Sequence, residues 1–297
     1  MKNRIMPVLN ISLAMCIVGS SVVAGKLIVQ SFPVFLASEL RFLVASIILV
    51  PILLKVEGMP SLRKKDYLYL FFQALTGVFL FNIFMLYGLT RTTATEAGLI
   101  TSTIPACTGL LSFFLLKEKL TKNIIIGICL ATMGTMTINA PGIFGTSNIS
   151  YLSVVGNCLV FGAVICESLF IIFGKFISQR VSALTISTIV SCFGSVLFLP
   201  CALYESRQFA YEKVSFAEWG LIMYFGIVVT VIAFILMHLG IAKVSANMAG
   251  ILTGFLPISS IALSSLVLGE SISAVQLVGC VLILVALYYL SRKPALK

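Results

Sequence analysis

Apolar runs of roughly twenty residues, separated by short polar or charged stretches, recur along the whole of the 297-residue chain. Each run is long enough to cross about 30 Å of hydrocarbon as a helix, which satisfies its own backbone where lipid offers no hydrogen bonds. The pattern predicts ten helical spans, over residues 7–29, 33–54, 67–89, 95–116, 123–140, 151–174, 183–203, 217–240, 246–268 and 274–291. The first is too long for a signal peptide and lacks a small-residue cleavage site, so it is expected to be retained. No stretch remains for a soluble domain. The expected fold class is an all-α integral membrane protein.

Two of the runs carry the same interruption. AGLITSTIP, Ala97 to Pro105, reappears as AGILTGFLP, Ala249 to Pro257. A shift of 152 positions aligns the surroundings without a gap: Gly88 meets Gly240, Arg91 meets Lys243, Thr101 meets Thr253, Glu118 meets Glu270 and Gly127 meets Gly279. The chain therefore reads as two five-span units, residues 1–145 and 146–297. Five is odd, so corresponding loops fall on opposite sides of the membrane. The loop LLKEKLTKN holds three lysines and its counterpart LVLGESISA none, as expected of inverted repeats with a solute site near the midplane.

Composition narrows the class without changing it. Apolar residues make up 60% and charged residues 10% of the chain, and a mean hydropathy of +1.13 exceeds what a soluble surface tolerates. The net charge of +10 is an orientation signal rather than a nucleic-acid footprint. With the N-terminus inside, Lys2, Arg4, Lys55, Arg63, Lys64, Lys65, Lys117, Lys119, Lys122, Lys175, Arg180, Lys243, Arg292, Lys293 and Lys297 lie on the cytoplasmic side, against Lys26, Arg91, Arg207 and Lys213 outside. The positive-inside rule places both termini in the cytoplasm of a cell's inner or plasma membrane. The eight cysteines form no CxxC pair and read as packing residues, so no metal and no cofactor is expected.

The chain resembles the drug/metabolite transporter superfamily in its EamA-type branch. The resemblance rests on CIVGSSVVAGK, on ELRFLVASIILVP, on YGLTRTTATEAGLITSTIPACTGLLSFFLLKEKLTKNIIIGICLATMG and on VSANMAGILTGFLPISSIALSSLVLGESISAVQLVGCVLILVA. It implies a ten-helix carrier that exports metabolites, amino acids or toxic compounds without hydrolysing ATP, through a central cavity bordered by helices one, three, four, six, eight and nine. In span six, where such proteins often show an aromatic-small pair, this chain has Cys166 and Glu167.

Polar residues inside the spans are the candidate pathway. Glu167 lies eight residues before Lys175, about 12 Å inside its helix end. A carboxylate there must be paired, protonated or wetted, which makes it a candidate for proton coupling or cation recognition. Glu39 is a second cavity candidate, the alternative being an arginine or lysine clamp, for which Lys26 and Arg91 are candidate partners that could equally snorkel to the interface. Arg41, two residues away, points to another face and is expected to be structural, held by an acidic side chain or by free carbonyls. Asn82, Tyr87, Gly98, Thr101, Gly250 and Thr253 complete the expected pathway, with Pro105 and Pro257 as mid-span hinges. Glu118 and Glu270 are expected to be structural charges near the N-termini of spans five and ten, and Glu96 a cap on span four. His238, the only histidine, reads as interfacial.

A membrane enzyme fits poorly. Asp66 is the only aspartate, one histidine cannot make an HExxH site, and no GxxxxGK[ST] loop is present. The expectation is a secondary transporter working by alternating access, exporting small metabolites such as amino acids; toxic-compound efflux and uptake are the alternatives. Its partners are a small-molecule solute, the lipid bilayer and protons, with no nucleic acid, as a monomer or homodimer.

Overall fold

The computed structural model describes residues 2–28, 31–92, 94–139, 151–268 and 272–291. These form a bundle of helices: α1 (Lys2–Ile28), α2 (Val34–Val56), α3 (Lys64–Leu89), α4 in two pieces (Ala94–Thr101 and Ile104–Leu115), α5 (Lys122–Asn139), α6 (Tyr151–Ile177), α7 (Ala183–Ser206), α8 (Phe216–Ile241), α9 in two pieces (Ala246–Leu252 and Phe255–Leu268) and α10 (Ala274–Ser291). By length and apolar character, α2, α3, α4, α6, α7, α8 and α9 can each cross a membrane, while α1 and α10 contain shorter apolar stretches. α5 is interrupted by Thr132, Thr135, Thr137 and Asn139, several of which turn their side chains back onto their own helix.

The shift of 152 residues seen in the sequence recurs in the helix boundaries. Lys64–Leu89 becomes Phe216–Ile241, and Lys122–Asn139 becomes Ala274–Ser291. α3 and α8 both begin with an acid three residues in, reaching back to the backbone N–H of the residue before the helix: Asp66 to Arg63 at 2.9 Å and Glu218 to Ser215 at 2.6 Å. Both then widen into a π-helical segment, Ala74–Leu80 in α3 and Phe225–Ile232 in α8. Such widenings are rare and cluster at functional places.

The packing crosses between the two runs of five helices. α5 lies along α10 and α2 along α7, each helix against its own counterpart. α1 packs on α8 and on the second piece of α9, while α6 packs on α3 and on the second piece of α4. The first helix of each run thus docks into the other run. The main buried core, with Ile11, Phe42, Leu70, Phe170, Phe198, Ile241 and Leu252, draws on seven helices. Glycines set the closest approaches: a Cβ on Gly134 would lie 2.8 Å from the Gly279 carbonyl, and one on Gly279 2.6 Å from that of Gly134.

The mid-span prolines do not bend continuous helices, as the sequence led us to expect. α4 breaks at Ser102–Thr103 and α9 at Thr253–Gly254, and Pro105 and Pro257 stand in the first turn of the helix piece that follows. Proline is tolerated there because that turn's N–H groups have no intrahelical acceptor. Glu270 and the boundary at residue 145 lie outside the described residues.

The glycine crossing gives a direct test. Gly279→Ala is expected to lower stability in detergent by about 1–3 kcal/mol through overpacking. Gly220→Ala, where an added Cβ meets nothing within 4 Å, is expected to leave the thermal melting midpoint unchanged or raised.

Candidate functional site: a carboxylate at the interior of the bundle

α6 carries the residue of most interest. Its exposed side is the stripe Val154, Cys158, Phe161, Ile165 and Phe176. At 100° per residue Glu167 points about 120–180° from the members of that stripe, into the bundle. Around it Ala163, Val164, Ser168 and Ile171 are fully buried, yet Glu167 is only partly so. On the same face, α3 approaches α6 closely on both sides of this level: a Cβ on Gly88 would lie 2.7 Å from Val160, and one on Gly77 2.3 Å from Phe170. Between these contacts the Glu167 side chain makes no hydrogen bond or ion pair among the described residues, and it keeps some accessible surface. Glu167 is therefore an inward-turned, partly accessible carboxylate without a protein partner, at the level of the π-helical segment of α3.

The other intramembrane charges are better accommodated. Glu39, 5% exposed, accepts a hydrogen bond from the Ser195 hydroxyl of α7 at 2.6 Å, while its second oxygen is buried without a partner. This hydroxyl stands in place of an arginine or lysine clamp: the α2–α7 contact brings Ser195 to Glu39, and the side chain of Lys26 lies outside the described ones. Arg41 finds neither an acid nor carbonyls through its Nε, which is buried without a partner; the guanidinium instead lies 4.6 Å from the centre of the Phe42 ring.

His238 is fully buried, so the interfacial reading does not hold. Its Nδ1 lies 3.0 Å from the Ser187 hydroxyl and its Nε2 3.0 Å from the Gln73 amide, which also donates to the Phe170 carbonyl at 3.2 Å. With the Gln73 amide as donor, Nε2 accepts and Nδ1 carries the hydrogen, a neutral ring. This hub ties α3, α6, α7 and α8 together just ahead of the π segment of α3.

Several expected pathway residues also make structural contacts. Thr101 and Thr253 donate to the carbonyls of Gly98 and Gly250 in their own helices, at 3.0 and 2.6 Å, which uses their one hydrogen and leaves their oxygens able to accept. Gly98 gives room to Asn139 of α5, and Gly250 to Thr108 of α4; an added Cβ would come within 2.6 and 2.8 Å of them. Asn82 donates to the Val78 carbonyl of its own helix. Tyr87 is 48% exposed at the end of α3 and is open to the surroundings rather than enclosed. Glu96 accepts from Thr92 at 2.7 Å and from Asn157 at 2.8 Å, which fastens the start of α4 to α6.

Two charges were misread or passed over. Glu118, expected to serve α5, accepts from the backbone N–H groups of Ala246 and Asn247 at 2.8 and 3.2 Å and from the Asn247 side chain at 2.8 Å. It caps α9, because the α4–α5 turn folds against that helix start; Thr121 caps α5 itself. Lys175, which the sequence presents as an ordinary basic helix end, donates to the carbonyls of Ile241, Ala242 and Val244 at 3.0, 3.4 and 2.5 Å. A cation thus holds the C-terminus of α8 and an anion the N-terminus of α9, each matching the helix dipole it meets. The repeated Gly240–Lys243–Ala246 pattern marked the α8–α9 turn as special, but no local signal named the two side chains that pin it.

Residues 5–140 and again 154–292 match the model of the EamA-like transporter family. The chain belongs to that family. YetK of Bacillus subtilis (strain 168), named an uncharacterized transporter, is 47% identical over 271 residues, which span 91% of this chain and 82% of the relative. YyaM of the same organism, named likewise, is 26% identical over 247 residues, 82% of this chain and 80% of the relative. A solved crystal structure covers 97% of both chains with a TM-score of 0.81 at 18% identity, a likeness of fold alone. As an EamA-like transporter with several apolar spanning helices, the chain is a multi-pass membrane protein.

Removing the cap on α9 is expected to show locally. In Glu118→Ala the Ala246 and Asn247 amides should exchange with deuterium at least tenfold faster, the loss of hydrogen bonds to a charge being worth about 1.5–3 kcal/mol. Met248, whose N–H is held by the Ser245 hydroxyl at 3.2 Å, should change less.

Proposed function

We propose that this EamA-like protein is a secondary transporter that exports small metabolites, amino acids or related compounds, by alternating access across the inner membrane. The chain crosses ten times as two oppositely oriented five-helix units, 1–145 and 146–297, with both termini in the cytoplasm. Support comes from the family model matching twice, from helix ends and π segments that repeat at the 152-residue shift, and from charged loops concentrated on one side. The observation that carries the reading is Glu167: an unpartnered carboxylate turned away from lipid, on the helix that docks into the other five.

In this reading the contacts of α1 with α8 and α9, and of α6 with α3 and α4, are the seam about which the bundles rock. The breaks ahead of Pro105 and Pro257 leave each of α4 and α9 two pieces that can tilt separately. Glu167 exchanges a proton with whichever side the cavity faces, so the proton gradient drives the solute outward. The titratable groups on α6 and the elements packed against it include Cys107 of α4, His238 of α8 and, along α6 itself, Cys166 beside Glu167 and Lys175 two turns on, the last engaged with the carbonyls that end α8. No catalytic step is assigned to the chain.

Purified protein in liposomes tests this. Counterflow of a labelled solute from a broad metabolite panel is expected, and its absence across the panel would favour a receptor. Glu167→Gln is expected to abolish pH-driven accumulation while the protein still inserts. Undiminished accumulation removes Glu167 from the mechanism. Reporter fusions at the two ends should both report the cytoplasm.

A further inference from the structure

The carrier reading leaves open which chemical class of solute the interior accepts, and the surroundings of Glu167 bear on that. A carboxylate inside a bundle needs a counter-charge or donors. The elements packed against α6 are α3, α4, α8 and α9. Lys64 and Lys65 stand in the first turn of α3, far along the helix from this level, and the described parts of α4, α8 and α9 hold no lysine or arginine. The ionisable groups that remain on these elements are the acids Asp66, Glu96 and Glu218, Cys107, tyrosines and His238, and His238 has both ring nitrogens engaged. Lys175, two turns along α6, spends its ammonium on three carbonyls. Glu39 and Arg41 belong to α2, which packs on α7 and α8 rather than on α6. Among the described residues, the lysines and arginines of α6 and of the helices packed against it all lie away from this level, and Arg91 sits at the far end of α3, against Gly156.

An aromatic cluster packs beside this level. Phe170, one turn from Glu167 on the same face, lies 5.9 Å from Phe234 and 5.8 Å from His238, and Phe234 lies 6.2 Å from Phe42. An anionic solute would face uncompensated repulsion, and a neutral one would leave the carboxylate without its counter-charge. An ammonium group satisfies the carboxylate, while the rings attract the cation and cover an apolar body.

We infer that the solute is an organic amine, carried as its ammonium ion, with its charge on Glu167 and its apolar body against the Phe170 and Phe234 side. The inference rests on the carrier reading, with Glu167 in the pathway.

Three near-isosteric probes separate the classes: phenethylamine as cation, 3-phenylpropionate as anion and 3-phenylpropan-1-ol as neutral compound. Thermal melting of the purified full-length protein in detergent is the readout. Phenethylamine should raise the melting temperature saturably and the other two should not. Glu167→Gln should weaken the response about tenfold or more while keeping the wild-type melting temperature without probe, and Glu167→Asp should retain part of it. Stabilisation by the propionate or the alcohol to the same degree, an undiminished response in Glu167→Gln, or no response to phenethylamine overturns the amine assignment. Where Glu167→Gln does not fold, the wild-type ranking of the three probes and the Glu167→Asp response decide. Failure of the carrier reading looks different, since it appears as absent counterflow over the whole metabolite panel, including solutes without an amine.

Discussion

A helix that stops inside a membrane bundle leaves N–H and C=O groups that lipid cannot satisfy, and most of this structure follows from how they are met. The answer used repeatedly is a charged side chain delivered from another helix. Glu205, at the end of α7, accepts from the Leu36 N–H at the start of α2 at 2.8 Å. Glu57, just past the end of α2, acts through an intermediary: it accepts from the hydroxyls of Ser182 and Thr185 at the start of α7, at 2.6 and 2.9 Å, and the Ser182 oxygen in turn caps the Thr185 N–H at 3.0 Å. The two helices close each other's ends in opposite directions. Glu118 does the same for α9, and Lys175 does the converse for the carbonyls that end α8. These contacts join parts distant in sequence, so they fix the relative placement of helices that apolar packing alone would leave free to slide.

Against this near-symmetry the exceptions carry information. His238, Gln73 and Ser187 form a buried polar hub, but the residues 152 positions away are Leu86, Phe225 and Phe35. Likewise Gly98 and Gly250 occupy equivalent sequence positions but make room for different neighbours, Asn139 of α5 and Thr108 of α4. A duplicated frame fixes where helices start and stop, while the side chains facing the interior have diverged within it.

The frame was legible in the sequence because it depends on long-period signals. Runs of apolar residues and the repeated Ala-Gly…Thr…Pro order are each visible in the chain itself, and the helices they predict end within a few residues of those observed; the acids three residues into α3 and α8 emerged only with the structure. The site was partly legible. Glu167 stood out because a carboxylate in such a run is costly wherever it points, and the structure adds that it points inward and is unpartnered. The partners of Glu39 and Glu118 were not legible, since Ser195 lies 156 residues from Glu39 and Ala246 128 from Glu118. That Thr101 and Thr253 turn their hydroxyl hydrogens back to their own helices was not legible either, since the sequence cannot show that choice.

Glu39 and Glu167 make the same argument from opposite directions. Both are carboxylates inside apolar helices. Glu39 is sealed, with one hydroxyl donor and one oxygen left bare, a geometry that suits a group whose surroundings do not change. Glu167 has no donor but is not sealed. A static protein would gain by turning such a group toward a donor such as Gln73 or Asn82 on the neighbouring helix, but Gln73 is committed to His238 and Phe170, and Asn82 to its own helix. The donors near Glu167 are therefore occupied elsewhere, which leaves the carboxylate available to whatever reaches it.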